Sequence, residues 1–340
     1  MPTSRTAVIA CFAVLVTALA VPAAGQEITA PTTSCSVTVS WNIFFPFTSI
    51  SQALSTYNPA GGAIGSIYGS TQTVSVSGVC TEPEINIGAQ FMNLILIGVR
   101  DSQGTKATLQ GTSPLGNVIS IGGRNITVQG LRITSAGAKY GVTVYRGGTA
   151  LIDNCVIEGF AGGAITVNQW AFARITNNTL QNNGEEGIFV SESSAVRVGF
   201  RSTDDLTPMP NTIQNNGLAG IRVTRTSNAR ITGNAITGNL GGGILIENNS
   251  HADVAWNELS GNLAAGIRVH LNSSARLGIG SGKPEWDVAN STTANNLGAG
   301  LECTLGGAVE GDLGTLRGEQ GSHKFGLGCV HDLNHSKDDE

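Results

Sequence analysis

The 340-residue chain carries a formal net charge of -5 at pH 7, and only 13% of its residues are charged, against about 25% in an average soluble domain. The last ten residues contribute -3 of that charge, so the rest is close to neutral, which excludes nucleic-acid binding by bulk electrostatic attraction. Low charge together with 46 glycines and 5% aromatic residues favours a long β-sheet with many tight turns.

Residues 1–25 have the pattern of a secretory signal peptide. Arg5 supplies the positive end, residues 7–20 form the apolar run, and the small residues 23–25 supply a cleavage site. The apolar run is shorter than a bilayer-spanning helix requires, and no other stretch qualifies. The sequence therefore predicts a secreted or periplasmic protein with no membrane span.

Residues 26–116 are predicted to form an N-terminal cap followed by irregular first coils. Residues 47–57 have the apolar spacing of one short amphipathic helix, which Pro59 and the glycines after it should end. The segments 73–79 and 94–99 are predicted strands. A cap is expected because the open end of a stacked sheet would otherwise pair with other chains.

The body of the chain, residues 117–301, repeats one phrase: a small residue, Ile or Val, a variable residue, and again Val or Ile. The first apolar position recurs at Ile119, Val142, Ile165, Ile188, Ile221, Ile244, Ile267 and Leu301. Five of the seven intervals are 23 residues, and the two longer ones carry inserts at residues 199–210 and 278–289. A fixed period of this size indicates stacked coils. Three short alternating apolar runs per period predict three strands per coil, which is an all-β parallel β-helix.

Two columns of asparagine mark the corners of the predicted coil. The first column comprises Asn183, Asn216, Asn239, Asn262 and Asn296, and the second comprises Asn178, Asn211, Asn234 and Asn257. At a coil spacing of about 4.8 Å the stacked amides can bond to one another, and asparagine tolerates the left-handed backbone that such corners need. We expect a structural role for both columns.

Outward-facing charges collect in one row, nine residues after each repeated Ile. The row reads Leu151, Arg174, Arg197, Arg230, Asp253 and Arg276. Like charges stacked about 4.8 Å apart repel unless an anion lies across them. The row therefore either keeps an exposed face soluble or binds an anionic ligand.

Both inserts begin directly after this row, three coils or about 14 Å apart. They would bring Asp204 and Asp205 to one side of the row and Trp286 to the other, with His251 between them. A second outward row places Glu247 beside His270, a pair suited either to general acid and base chemistry or to an ordinary surface ion pair.

Residues 302–330 are predicted to form a C-terminal cap, and residues 331–340 a disordered acidic tail. In an oxidising compartment the economical pairing joins Cys35 to Cys80 and Cys303 to Cys329, one disulfide at each end, with Cys155 free and buried. Metal binding by these cysteines is disfavoured because none of them has the close spacing of a zinc site.

The segment 229–239, Ala-Arg-Ile-Thr-Gly-Asn-Ala-Ile-Thr-Gly-Asn, leading to Gly-Ile-Leu-Ile at 243–246, resembles the right-handed parallel β-helix repeat of the pectin-lyase-like superfamily, most closely its NosD-like and carbohydrate-binding repeats. The resemblance covers about residues 70–301. It implies a groove on the flank of the helix that binds an extended, often acidic, polysaccharide. The polygalacturonase motifs are absent apart from Asp204-Asp205, and the epimerase Asp-Pro-His-Asp motif is absent as well.

Two functions from different classes remain open, both for a monomer acting on polysaccharide. In a lyase-like enzyme, an arginine or His251 would abstract a proton next to a uronate carboxylate, and an aspartate of the inserts, with or without calcium, would stabilise the enolate. The predicted catalytic residues are Arg230, His251 and Asp253. The residues predicted to bind substrate are Arg174, Arg197, Arg276, Asp204, Asp205 and Trp286. In a non-catalytic carbohydrate-binding or cell-surface solenoid, the same row would only hold the ligand.

Overall fold

The computed structural model of the protein describes residues 34–57, 71–202, 207–278 and 287–334. Within them the chain winds as a parallel β-helix in which most coils contribute one strand to each of three sheets, so the predicted fold class is confirmed. The predicted signal peptide, residues 1–25, lies outside the described residues.

Sheet B is the longest of the three, with thirteen described strands. Its strands are β1 (Ser36–Val39), β2 (Asn42–Phe47), β3 (Gln72–Ser77), β6 (Leu94–Gly98), β9 (Ile126–Gln129), β12 (Thr149–Asp153), β15 (Phe172–Thr176), β18 (Ala195–Val198), β21 (Asn228–Thr232), β24 (His251–Ala255), β27 (Ser274–Leu277), β29 (Ala308–Asp312) and β31 (Val330–Asn334).

Sheets A and C complete the coil. Sheet A contains β4 (Val79–Glu82), β7 (Thr108–Gly111), β10 (Arg132–Ser135), β13 (Val156–Glu158), β16 (Thr179–Gln181), β19 (Thr212–Gln214), β22 (Ala235–Thr237) and β25 (Glu258–Ser260). Sheet C contains β5 (Ile85–Ile87), β8 (Asn117–Ile121), β11 (Tyr140–Val144), β14 (Ile165–Val167), β17 (Ile188–Val190), β20 (Ile221–Val223), β23 (Ile244–Ile246), β26 (Ile267–Val269), β28 (Leu301–Cys303) and β30 (His323–Phe325).

The repeated phrase stacks in register with itself. In sheet C, Ile165 lies opposite Ile188 and Val167 opposite Val190, and all four side chains are fully buried. Burying one such side chain stabilises the fold by about 1.5–3 kcal/mol. Because the side chains of a strand alternate between its two faces, this register turns the residues between the buried positions outward on every coil.

Both asparagine columns form the predicted ladders. In the first column, Asn216 donates its amide to Oδ1 of Asn239 at 2.9 Å and receives the amide of Asn183 at 2.9 Å. The second column continues through Asn290, whose Oδ1 accepts from Asn257 at 3.0 Å. The sequence analysis missed Asn290, although it follows Asn257 by 33 residues, the interval that also separates Asn178 from Asn211.

The corner between sheets C and B uses serine instead. The hydroxyl oxygens of Ser194, Ser227, Ser250 and Ser273 each accept a backbone N–H from the coil before, at 3.1–3.3 Å. Each of these serines follows two consecutive residues with positive φ, for example Arg225 at 54° and Thr226 at 60°. The sequence analysis missed this third column.

The N-terminal end is covered by a hairpin and a short helix. Strand β1 pairs antiparallel with β3, and helix α1 spans Ile50–Ser55. The helix is shorter than the predicted residues 47–57 because β2 runs to Phe47 and Ser49 caps the helix, its hydroxyl accepting the N–H of Gln52 at 3.2 Å.

The C-terminal segment continues the stacking. Strand β30 pairs with β28, and β31 pairs with β29, both in parallel. Residues 331–334 are therefore part of a strand rather than of the predicted disordered tail. The reason is that Leu333 turns inward and is buried at the end of the core. The remaining tail, residues 335–340, lies outside the described residues.

Disulfides join Cys35 to Cys80 and Cys303 to Cys329, as predicted, and Cys155 is free and buried. Burial raises the pKa of the Cys155 thiol to about 11, which keeps it protonated and unreactive at neutral pH. Structural disulfides persist in oxidising compartments, so they indicate a location outside the cytoplasm. No helix in the described part of the chain is long and apolar enough to span a bilayer.

Candidate functional site

The arginine row lies on one face of sheet B. Successive members are direct cross-strand partners: Arg174 of Arg197, Arg197 of Arg230, Arg230 of Asp253, and Asp253 of Arg276. The row continues through Glu310 and Asp332. These two acids were not predicted because residues 302–340 were assigned to a cap and a tail rather than to further coils.

The charges in the row are unevenly distributed. The Asp253 carboxylate, whose side chain is only 9% exposed, lies 3.4 Å from Nε of Arg230 and 3.7 Å from Nη1 of Arg276. Arg276 also pairs with Glu310 at 3.1 Å. Arg174 is exposed and lies over the ring of Phe172 at 5.8 Å. The described acids of the row, Asp253, Glu310 and Asp332, all follow Arg230, so the part of the row with arginine alone is Arg174, Arg197 and Arg230.

The structure brings the three predicted catalytic residues together. Nε2 of His251 lies 3.2 Å from Oδ1 of Asp253, and Asp253 in turn lies beside Arg230. On the next strand, the hydroxyl of Ser274 lies 2.8 Å from Nδ1 of His251. Ser274 was not predicted as part of the site. The sequence could have predicted this contact, because Ser274 follows His251 by one period of 23 residues.

Two depressions flank this cluster. One of about 380 Å³ is lined by Phe172, Arg197, Arg230, His251, Asp253 and Arg276, among others. The other, of about 250 Å³, is lined by His251, Ser274, Arg276, Glu310, His331 and Asp332, among others. His251 and Arg276 border both, so a ligand on either side contacts the same imidazole and guanidinium groups.

The two inserts are only partly described. The first leaves sheet B at Gly199 and turns toward the earlier coils, where Arg201 pairs with Asp153 at 3.2 Å. Asp204 and Asp205, and Trp286 of the second insert, lie outside the described residues. The expectation that the inserts wall a cleft over Arg230 and Asp253 stays a prediction.

The described carboxylates do not fit calcium. Among the described residues, no group of three or more His, Cys, Asp or Glu side chains is placed to hold a metal ion. Asp253 faces two guanidinium groups and an imidazole, whereas calcium requires six to eight oxygen ligands.

Glu247 and His270 lie on sheet C, on a different face from the arginine row. Oε2 of Glu247 is 2.9 Å from Nε2 of His270, and Oε1 accepts from Nε of Arg222 at 2.8 Å. Arg222 also bonds to Glu186 at 3.1 Å. Burial of Glu247 acts to raise its pKa, but its hydrogen bond to Arg222 and the charges of Arg222 and His270 outweigh that effect, so the pKa is lowered. The arrangement is a partly buried charge network that links four successive coils.

This lowered pKa predicts an acid-dependent loss of stability. The contribution of Glu247 is present above its unfolded pKa and is lost as the pH falls through the lower folded pKa. Glu247→Gln should lower the free energy of unfolding at pH 7 by about 1.5–3 kcal/mol, because hydrogen bonds to charged groups are lost. The free energy of unfolding of this variant should also fall less steeply on acidification than that of the unchanged protein. Urea unfolding at several pH values measures both.

The matched control is Glu192→Gln, which removes a carboxylate from an exposed pair with Arg225. The free energy of unfolding of that variant should differ from that of the unchanged protein by less than about 1 kcal/mol at every pH. An acid dependence that is the same in Glu247→Gln as in the unchanged protein would contradict the role of Glu247.

The sequence profile described as "Right handed beta helix region" matches residues 116–202 and 168–313. No curated protein matches the chain. Among solved structures, the enzymatically active domain of bacteriophage CBA120 tailspike protein 2 is 12% identical with a TM-score of 0.50, over 77% of this chain and 42% of that chain. The Azotobacter vinelandii mannuronan C-5 epimerase AlgE6 A-module is 13% identical with a TM-score of 0.39, over 76% of this chain and 92% of that chain. At such identities the likeness is one of fold.

Proposed function

Because this chain belongs to the right-handed β-helix family, whose profile matches more than half of its residues, we propose that it binds an extended acidic polysaccharide along the outward face of sheet B. The observation that carries the proposal is the in-register stack of Arg174, Arg197 and Arg230 on three neighbouring strands.

Three guanidinium groups stacked on neighbouring strands repel one another. Two unit charges about 4.8 Å apart repel by about 0.9 kcal/mol in water, and more near a protein surface of lower dielectric. Asp253 offsets Arg230 from one side, while the stack continues on the other side through Arg197 to Arg174. A polymer that carries a carboxylate on successive sugar units would place anions along this stack.

The shape of the face favours an extended ligand over a small anion. The depression beside the row runs across the strands from Phe172 to Arg276, which spans five neighbouring strands. Trp170, at the turn into β15, is 75% exposed. Aromatic side chains with one apolar face in water suit contact with sugar rings. The signal-peptide pattern and the two disulfides support a secreted or periplasmic location, where such polymers occur.

The test is a binding titration of the purified protein against polygalacturonate, alginate and a sulfated glycosaminoglycan, with neutral dextran as the control. We expect binding to at least one acidic polymer, none to dextran, and weaker binding as salt screens the charges. Equal affinity for dextran, or no binding to any of the acidic polymers at low salt, would refute the proposal.

A second candidate is cleavage of the bound polymer by β-elimination, which the contacts of His251 favour. The imidazole would take the proton next to a uronate carboxylate, and the Arg230 guanidinium would stabilise the enolate that forms. The enolate would then expel the glycosidic oxygen from the neighbouring carbon, so that a C=C bond forms and the leaving sugar takes up a proton. Ultraviolet absorbance of the unsaturated sugar product follows this reaction. Binding without product would leave a non-catalytic binding protein.

A further inference from the structure

Three side chains on sheet B form a continuous chain of hydrogen bonds beside the arginine stack. The Ser274 hydroxyl contacts Nδ1 of His251 at 2.8 Å, and Nε2 of His251 contacts the Asp253 carboxylate at 3.2 Å. His251 and Asp253 are two residues apart on β24, and Ser274 is the direct partner of His251 on β27. All three project from the same face because they occupy alternate positions of paired strands.

The two contacts fix the tautomer of His251. An ionised carboxylate can only accept a hydrogen bond, so Nε2 carries the proton that is directed at Asp253. In the neutral ring, Nδ1 then has a free lone pair and accepts the O–H of Ser274. The imidazole is therefore oriented to remove the proton of Ser274.

Two guanidinium groups border the Asp253 carboxylate, and the other two members of the chain are accessible. Arg230 and Arg276 lie against the Asp253 carboxylate. The His251 side chain is 37% exposed, and Ser274 lines the open depression of about 250 Å³ next to it.

The repeat itself does not require these residue types. The positions equivalent to His251 and Ser274 on the adjacent strands of sheet B are occupied by Asn228 and Ala308. The stacking of the coils therefore does not explain why a histidine and a serine are paired here.

We propose that Ser274, His251 and Asp253 form a catalytic triad that hydrolyses carboxylic esters, with ester substituents of an acidic polysaccharide as the substrate class. Only the identity of the polymer rests on the proposed function. Ester cleavage itself requires the triad and the arginines that contact Asp253, but not the rest of the arginine stack. Ser274 is the nucleophile, His251 the general base and acid, and Asp253 the positioning residue for the imidazole.

The reaction proceeds in two balanced steps. Oγ of Ser274 attacks the acyl carbonyl carbon while its proton passes to Nδ1 of His251, and the ester C–O bond breaks as Nδ1 returns the proton to the departing sugar hydroxyl. Water then attacks the acyl-serine through the same base and releases the carboxylic acid. The Arg276 guanidinium borders the same depression, where a cation stabilises the negative oxygen of the tetrahedral intermediates.

The test is covalent labelling by a fluorophosphonate probe, which reacts with activated serines, followed by mass spectrometry of the labelled peptide. We expect labelling at Ser274 and a fall of about 10³-fold or more in 4-nitrophenyl acetate hydrolysis in Ser274→Ala and His251→Ala. Asp253→Asn should lose activity, and Asp253→Glu should regain part of it, because the carboxylate sets the tautomer. The midpoint of thermal unfolding shows that each variant is folded.

Ser322→Ala is the matched control, since the Ser322 hydroxyl also contacts a histidine nitrogen, Nδ1 of His323, at 3.0 Å. It should leave labelling and hydrolysis unchanged. Absence of labelling in the unchanged protein, or labelling that persists in Ser274→Ala, would overturn the triad. The small ester reports on the triad alone and the polymer titration on the proposed function alone, so either can fail separately.

Discussion

Asn216→Ala should lower the free energy of unfolding by about 3–5 kcal/mol, one of the largest losses expected for a single substitution away from the apolar core. Oδ1 of Asn216 accepts both the side-chain amide and the backbone N–H of Asn183, and its own amide donates to Asn239 and to the carbonyl of Leu180. Every one of these groups is buried, and water cannot replace the lost partner without opening the corner. Each unsatisfied buried group costs about 1–3 kcal/mol.

Urea unfolding followed by circular dichroism measures this loss. We compare the urea midpoint of the variant with that of the unchanged protein, because stacked coils can unfold in parts and unfolding is then not two-state. Thr237→Ala is the control, since Thr237 lies on sheet A and faces outward. It should change stability by no more than about 0.5 kcal/mol. A loss below about 1 kcal/mol in Asn216→Ala would show that the ladder contributes little to stability.

The ladder could be predicted because the repeat period alone determines which residues are stacked. Once a coil has 23 residues, Asn216 must lie over Asn239, and the inserts only lengthen one corner. The sequence analysis missed Asn290, which lies 33 residues after Asn257, although the same interval separates the predicted Asn178 and Asn211. It also overlooked the serine column, because serine is common in any chain with many turns. The hairpin of β1 and β2 has no period at all, so only tertiary contacts determine it.

The candidate site, like the fold, could be predicted from the sequence only in part. The period placed Arg230, His251 and Asp253 on one face, since this requires only strand register. It could not show which charges pair, because pairing depends on side-chain torsions that vary within one register. Arg276 contacts both Asp253 and Glu310, and that second contact could not be foreseen while residues 302–330 were assigned to a cap.

Replacing Arg174, Arg197 and Arg230 together by alanine should weaken binding of an acidic polysaccharide by about 100-fold. Each exposed contact between a guanidinium and a carboxylate contributes about 1 kcal/mol, and three such losses correspond to roughly two powers of ten in affinity. The triple variant should remain folded, because relief of the repulsion between three stacked cations opposes the loss of the Arg230 contact to Asp253, which Arg276 still faces. Calorimetric titration against the best-binding polymer measures the change in affinity.

The control removes three positive charges elsewhere: Arg124, Arg225 and Arg268 replaced by alanine. Arg268 lies on sheet C and pairs with Glu302 at 2.7 Å, away from the arginine stack. Both triple variants have the same net charge, so a general electrostatic attraction would weaken equally in both. Binding at a specific stack should fall only in the first variant, and the remaining affinity of that variant should depend less on salt concentration. An equal loss in the two variants would mean that the face of sheet B is not the binding site.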